Sequence, residues 1–152
     1  MIKRLLVPLD GSHLAEAALT SAGELAESLR ATMILARVVP PPVPGRFYAP
    51  RLLDEMQEAQ VREAGAYLDQ IAERLRQDRL EVNTHVLTGH VAATLVEFAL
   101  RERCDLIVMS SHGLGGQGWH VFGSVAQKVL ESSQAPVLIV RPPSSAGERE
   151  EE

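Results

Sequence analysis

Five short apolar runs punctuate this chain, and each of the first four is followed by a stretch patterned as a helix. The runs are Ile2–Leu9, Thr32–Val39, Leu80–Leu87, Asp105–Met109 and Pro136–Arg141. Runs of this length, rich in Val, Ile and Leu, read as strands buried on both faces. After the first run, Asp10-Gly11-Ser12 is a turn and N-cap signal. Leu14, Ala18, Leu19, Ala22, Leu25, Ala26 and Leu29 then recur on one helical face. Leu53, Met56, Ala64, Leu68, Ile71 and Leu75 form the stripe of a longer second helix, with Glu58 and Arg62 at i,i+4 outside it. Ala92, Leu95, Val96 and Ala99 mark a third helix, and Val121–Ser133 the fourth. Strands separated by helices imply an α/β fold: a single doubly wound, five-stranded parallel sheet, Rossmann-like, flanked by four helices.

The 152 residues suit one domain. That domain is expected over residues 1–142, with a disordered acidic tail at 143–152 that is rich in Ser and Glu. The net charge of -5 argues against nucleic acid and anionic membranes as partners. No apolar run approaches the roughly 20 residues that span a bilayer. The N-terminal stretch lacks a long apolar core and a small-residue cleavage site, so no signal peptide is expected. Cys104 is the single cysteine, which excludes an intrachain disulfide and a paired-cysteine zinc pattern. A cytoplasmic location is the expectation. The proline-rich segment Pro40–Pro50 reads as an irregular crossover loop, because proline removes donors and fixes φ.

The chemistry concentrates after the fourth strand. Met109-Ser110-Ser111-His112 leads into Gly113, Gly115, Gly116 and Gly118, and the fourth helix follows. A strand, a glycine-rich loop and a helix N-terminus in that order can cradle phosphate, because the first N–H groups of the helix lack intrahelical partners. In open α/β sheets, ligands bind where strand order reverses. If the first and fourth strands are neighbours there, Asp10 faces this loop and its carboxylate can accept from ribose hydroxyls. The stretch Gly113–Gly118 also matches G-x-G-x-x-G. The dinucleotide fingerprint, however, opens the first βα turn and is followed by an acidic residue closing the next strand. Here it follows the fourth strand, and the fifth ends at Arg141. No Gly-Lys-Ser/Thr completes a Walker loop. His13, His112 and His120 match no zinc spacing and read as polar loop residues, so no protein-built metal site is expected. Cys104 reads as a packing residue rather than a nucleophile. The last strand is apolar throughout, and a terminal strand at a sheet edge invites pairing with a second copy.

Taken together, these segments resemble the universal stress protein family across residues 2–141. The resemblance rests on Leu6-Val7-Pro8-Leu9-Asp10-Gly11-Ser12, Val38-Val39-Pro40, Ser111-His112-Gly113, Gly123-Ser124-Val125-Ala126-Gln127-Lys128-Val129-Leu130 and Ala135-Pro136-Val137-Leu138-Ile139-Val140-Arg141. ATP-binding members of that family carry Gly, two residues, Gly, nine residues, then Gly-Ser or Gly-Thr. Gly113 and Gly123-Ser124 fit, whereas Ser110 stands at the first glycine position and Leu114 where a basic residue is common. The resemblance implies an adenine nucleotide alpha hydrolase-like sheet. It also implies that Asp10 meets ribose, that Pro8 and Val38 line an adenine pocket, and that Gly113, Gly123 and Ser124 hold phosphates. Met109, Ser110, His112, Gly116 and Val125 border the same pocket. The implied ligand is ATP or another adenine nucleotide, with Mg²⁺ or Mn²⁺ bound through the phosphates. The implied assembly is a homodimer through Val137, Leu138, Ile139 and Val140. Its implied role is in the stress response, with at most slow hydrolysis or autophosphorylation and no catalytic residue assigned. A dimeric interaction module that binds no nucleotide, with Phe47 and Tyr48 of the proline-rich loop meeting partners, is the alternative. An NAD-linked enzyme ranks below both.

Overall fold

The apolar runs divide their side chains between two cores. In the first strand, Leu5 and Val7 join one core and Leu6 the other. The second strand sends Met33 and Leu35 one way and Ile34 and Ala36 the other. Leu106 and Val108 oppose Ile107 and Met109 in the same manner. A two-residue side-chain period inside an unbroken apolar run thus requires helices on both faces. Full burial of each such side chain contributes about 1.5–3 kcal/mol.

The computed structural model describes residues 1–43, 49–113 and 122–143. Its elements are β1 (Arg4–Pro8), α1 (His13–Glu16), α2 (Ala18–Leu29), β2 (Thr32–Val39), α3 (Pro50–Gln77), β3 (Val82–Thr88), α4 (Val91–Arg101), β4 (Leu106–Ser110), α5 (Ser124–Ser132) and β5 (Val137–Val140). All five strands are parallel, in the order β3-β2-β1-β4-β5. The expected doubly wound sheet is therefore present. The first of the four expected helices is divided at Ala17 into α1 and α2. None of the described helices is long and apolar enough to cross a membrane.

Helix packing follows side-chain size more than apolar count. On α2 the buried residues are Ala18, Ala22 and Ala26, one turn apart, which lets the helix lie close on the sheet. Leu14 and Leu29, expected on the buried face, are exposed because the alanines take the contact. On α3, Ala64, Leu68 and Ile71 are buried as expected, joined by Ala72. Met56 is exposed because the N-terminal half of this long helix runs past the sheet. On the opposite face, Leu95, Phe98 and Ala99 of α4 meet Ala126 and Val129 of α5.

Chain order reverses between β1 and β4, which pair at Leu5↔Leu106 and Leu6↔Ile107. The start of that pair is fastened by Asp105, whose Oδ2 accepts from the backbone N–H of Lys3 at 2.8 Å and of Arg4 at 3.0 Å. Those two bonds, chiefly the one from Lys3, hold the Asp105 carboxyl below the usual carboxylate range. A depressed folded pKa adds stability above the unfolded value, near 3.9, and that stability is lost as pH falls through the folded value. We expect Asp105→Asn to lower unfolding free energy at pH 7 by about 1 kcal/mol, at the low end for a charged hydrogen bond because solvent screens the group. Urea melts from pH 7 to pH 3 provide the check: the gap between wild type and variant should close towards the acid end. A gap independent of pH shows that the charge is not the cause.

Candidate functional site

The reversal leaves a cleft of about 440 Å³ at the carboxyl ends of the strands. That size lies within the range of about 300–1,000 Å³ usual for small-molecule sites. Its walls include Pro8 and Asp10 after β1, Val38 at the end of β2, and Met109, Ser110, His112 and Gly113 at and beyond the end of β4. Gly123, Ser124 and Val125 at the start of α5 close it. These are ten of the eleven residues singled out from the sequence, and the structure brings them to one place. Gly116 lies outside the described residues, as do Gly115, Gly118 and His120.

Asp10 sits at the centre of the local packing. Its Oδ1 accepts from the backbone N–H of Ser12 at 2.9 Å and from the Ser12 hydroxyl at 2.5 Å. Ser12 Oγ in turn accepts from the Ala15 N–H at 3.1 Å, which caps α1. The other oxygen, Oδ2, occupies the space where Gly113 would carry a Cβ, and even Asp10 Cγ lies 3.1 Å from that point. Glycine is thus required at 113 by close approach. The fit is also tight at Gly123, where a Cβ would stand 3.2 Å from the Ser111 carbonyl oxygen. That carbonyl accepts from the Gly123 N–H at 2.6 Å, drawing the start of α5 onto the end of β4.

Among the described residues no side chain caps α5, and the helix start at Ser124, Val125 and Ala126 lines the cleft, where the first N–H groups lack intrahelical partners. Ser110 and Ser111 are buried, at 6% and 1% exposure, although both line the cleft. The Ser110 hydroxyl accepts from the His112 N–H at 3.4 Å, and Ser111 Oγ lies 2.9 Å from His112 Nδ1. Side-chain oxygens, uncapped helix N–H groups and the apolar walls Pro8, Val38, Met109 and Val125 give a site that can hold a flat apolar group at one end and an anion at the other.

The structure adds wall residues that pattern reasoning missed: Arg37, Gln60, Glu63, Val91 and Leu95. Arg37 carried a signal, as the one charged residue inside the apolar run of β2. Gln60 and Glu63 carried none. Their place depends on which turn of α3 overhangs the sheet edge. His13 is exposed to solvent, with its Nδ1 3.3 Å from Glu16 Oε2. Among the described residues no three metal-binding side chains cluster. Cys104 is buried in the α4–α5 core, where burial first, then Glu102 and Asp105 against an opposing Arg4, pushes its thiol up to about 11. It is a packing residue held as the thiol.

A doubly wound parallel sheet with its cleft at the switch point and an aspartate opposite a glycine defines a class of α/β binding domain. The Universal stress protein family model matches residues 1–141, and the chain belongs to that family. A universal stress protein of Methanocaldococcus jannaschii is 30% identical over 149 residues, covering 94% of this chain and 84% of the relative. A universal stress protein from Lactobacillus plantarum shares the fold, with a TM-score of 0.83 at 23% identity over 91% of this chain and 97% of that one. Another, solved in complex with cAMP, has a TM-score of 0.68 at 25% identity over 91% of this chain and 96% of that one.

The Asp10–Gly113 contact can be tested by stability alone. We expect Gly113→Ala to cost about 1–3 kcal/mol, as overpacking does. In an Asp10→Ala background the penalty should shrink, because the obstructing carboxylate is gone. Equal penalties in both backgrounds, read by urea unfolding, show that the contact does not set the glycine.

Proposed function

We propose that this protein binds an adenine nucleotide, ATP or a close relative, in the switch-point cleft and acts as a cytoplasmic homodimer in the stress response. One observation supports this above the others. The carboxylate of Asp10 is packed against Gly113 at the mouth of a cleft that also meets the uncapped start of α5. In this reading the carboxylate accepts from ribose hydroxyls, and the helix start with Gly113, Gly123 and Ser124 takes the 5′-phosphates. Pro8, Val38, Met109 and Val125 enclose the base, and Ser110 and His112 border the phosphate side. The cAMP-bound family structure supports an adenine nucleotide as the ligand class. Mg²⁺ or Mn²⁺ rides on the phosphates rather than on a protein cage. No lysine lines the cleft among the described residues, so chemistry on the nucleotide is at most slow.

The test is titration of ATP, ADP, AMP and cAMP by calorimetry, with extraction of the purified protein for carried nucleotide. We expect binding that Asp10→Ala weakens about tenfold or more, the loss of a charge-assisted hydrogen bond. Silence toward all four at millimolar concentration ends this reading in favour of an interaction module with an empty cleft.

Dimerisation rests on β5. It lies at the sheet edge beside β4, and Leu138 is 39% exposed. An apolar edge with unpaired backbone groups favours a second copy. We expect Leu138→Asp to shift the protein from dimer to monomer in sedimentation velocity. An unchanged dimer places the interface elsewhere.

A further inference from the structure

Arg37 is the arginine that the nucleotide reading leaves unused among the described residues lining the cleft. It lines the cleft from the end of β2, on the side of β1 away from β4. Its guanidinium is half-wrapped by the fold. It lies 5.2 Å over the Tyr67 ring, and its three outer atoms stand 3.1–3.2 Å from the point where Gly11 would carry a Cβ. Gly11 also has φ +88, a backbone conformation that strains any side chain there, and the guanidinium packs tightly over it.

None of the ion pairs found among the described residues involves Arg37. The nearby Glu16 is taken by Arg74 at 3.7 Å and His13 at 3.3 Å. Tyr67 does not neutralise Arg37 either. Burial, then Glu16 and Asp10, pushes its hydroxyl up to about 12, so it stays protonated. A half-buried cation is therefore held in place at the cleft wall by stacking and close packing, with no ion pair among the described residues. Guanidinium in such a setting favours a phosphate, which it can grip through two parallel hydrogen bonds.

The topology separates this cation from the helix start. β2 and β4 flank β1 on opposite sides. The glycines and α5 lie on the β4 side, Arg37 lies on the β2 side, and the Asp10-Gly11-Ser12 turn stands between them. In dinucleotide sites an acidic residue bonds a free ribose 2′-OH, whereas an Arg nearby accommodates a 2′-phosphate. We propose that Arg37 forms a second anion subsite of the cleft and makes it prefer an adenine nucleotide that carries a phosphomonoester on the ribose 2′ or 3′ oxygen. This rests on the nucleotide reading given above.

Calorimetry with adenosine 5′-monophosphate, adenosine 3′,5′-bisphosphate and adenosine 2′,5′-bisphosphate tests it. We expect wild type to bind one bisphosphate at least about tenfold more tightly than the monophosphate, the scale of a charge-assisted hydrogen bond. Arg37→Gln should abolish that preference, and Arg37→Lys should keep part of it. The preference in wild type is readable without any variant, and thermal melts report whether each variant is folded. Equal affinities in wild type, or a preference that survives in Arg37→Gln, overturn the subsite. If wild type binds the monophosphate without preferring either bisphosphate, the subsite fails and the nucleotide reading stands. If it binds none of the three, both fail.

Discussion

Pairing of β1 with β4 is the constraint on which the rest of the molecule depends. The chain completes β1, β2 and β3 in one direction, then crosses back to lay β4 on the free side of β1. Two loops that would otherwise follow separate strands are thereby set apart by the reversal, and a cleft opens between them. The pair itself is short, Leu5↔Leu106 and Leu6↔Ile107. Apolar side chains on both faces and the Asp105 carboxylate at its start hold it. The cleft is thus tied to the innermost part of the sheet, where displacement is most strongly resisted.

Close approach, more than chain flexibility, explains the described glycines of this cleft. Gly113 yields its Cβ space to Asp10, and Gly123 yields its own to the Ser111 carbonyl. Only at Gly11 does a positive φ add a conformational demand. The buried serines fit the same pattern. Ser110 and Ser111 spend their hydroxyls on His112, which satisfies polar atoms in a region with little access to water. A site assembled this way is largely preformed, since the contacts that shape its walls are contacts of the fold.

Charge is distributed unevenly around it. On the β2 side, Asp10, Glu16, Arg37 and Arg74 all act on the Tyr67 hydroxyl, which is buried without a hydrogen-bond partner among the described residues. On the β4 side, backbone N–H groups at the start of α5 supply the positive potential instead. The cleft therefore presents two unlike anion-attracting features across one carboxylate. That arrangement suits a ligand with charge at more than one point better than a neutral nucleoside.

Much of this architecture was legible in residue order. Short apolar runs without polar interruption demanded cover on both faces, and the alternation with helical stripes specified parallel strands. Asp10 and the glycine-rich loop before α5 marked the cleft through local turn and helix-start chemistry, and the Gly113 to Gly123-Ser124 spacing marked it through the family resemblance. Which residues of a stripe are buried was not local. Ala18, Ala22 and Ala26 displaced Leu14 and Leu29 from the α2 contact because the sheet surface favours close approach over bulk. Strand order was likewise beyond the sequence, which allowed the β1–β4 neighbourhood without requiring it. Arg37, Gln60 and Glu63 entered the cleft wall only through tertiary structure, since their positions depend on how β2 and the overhanging turns of α3 are docked. Sequence determined the elements and the chemistry at their ends. Packing between distant segments decided which ends meet.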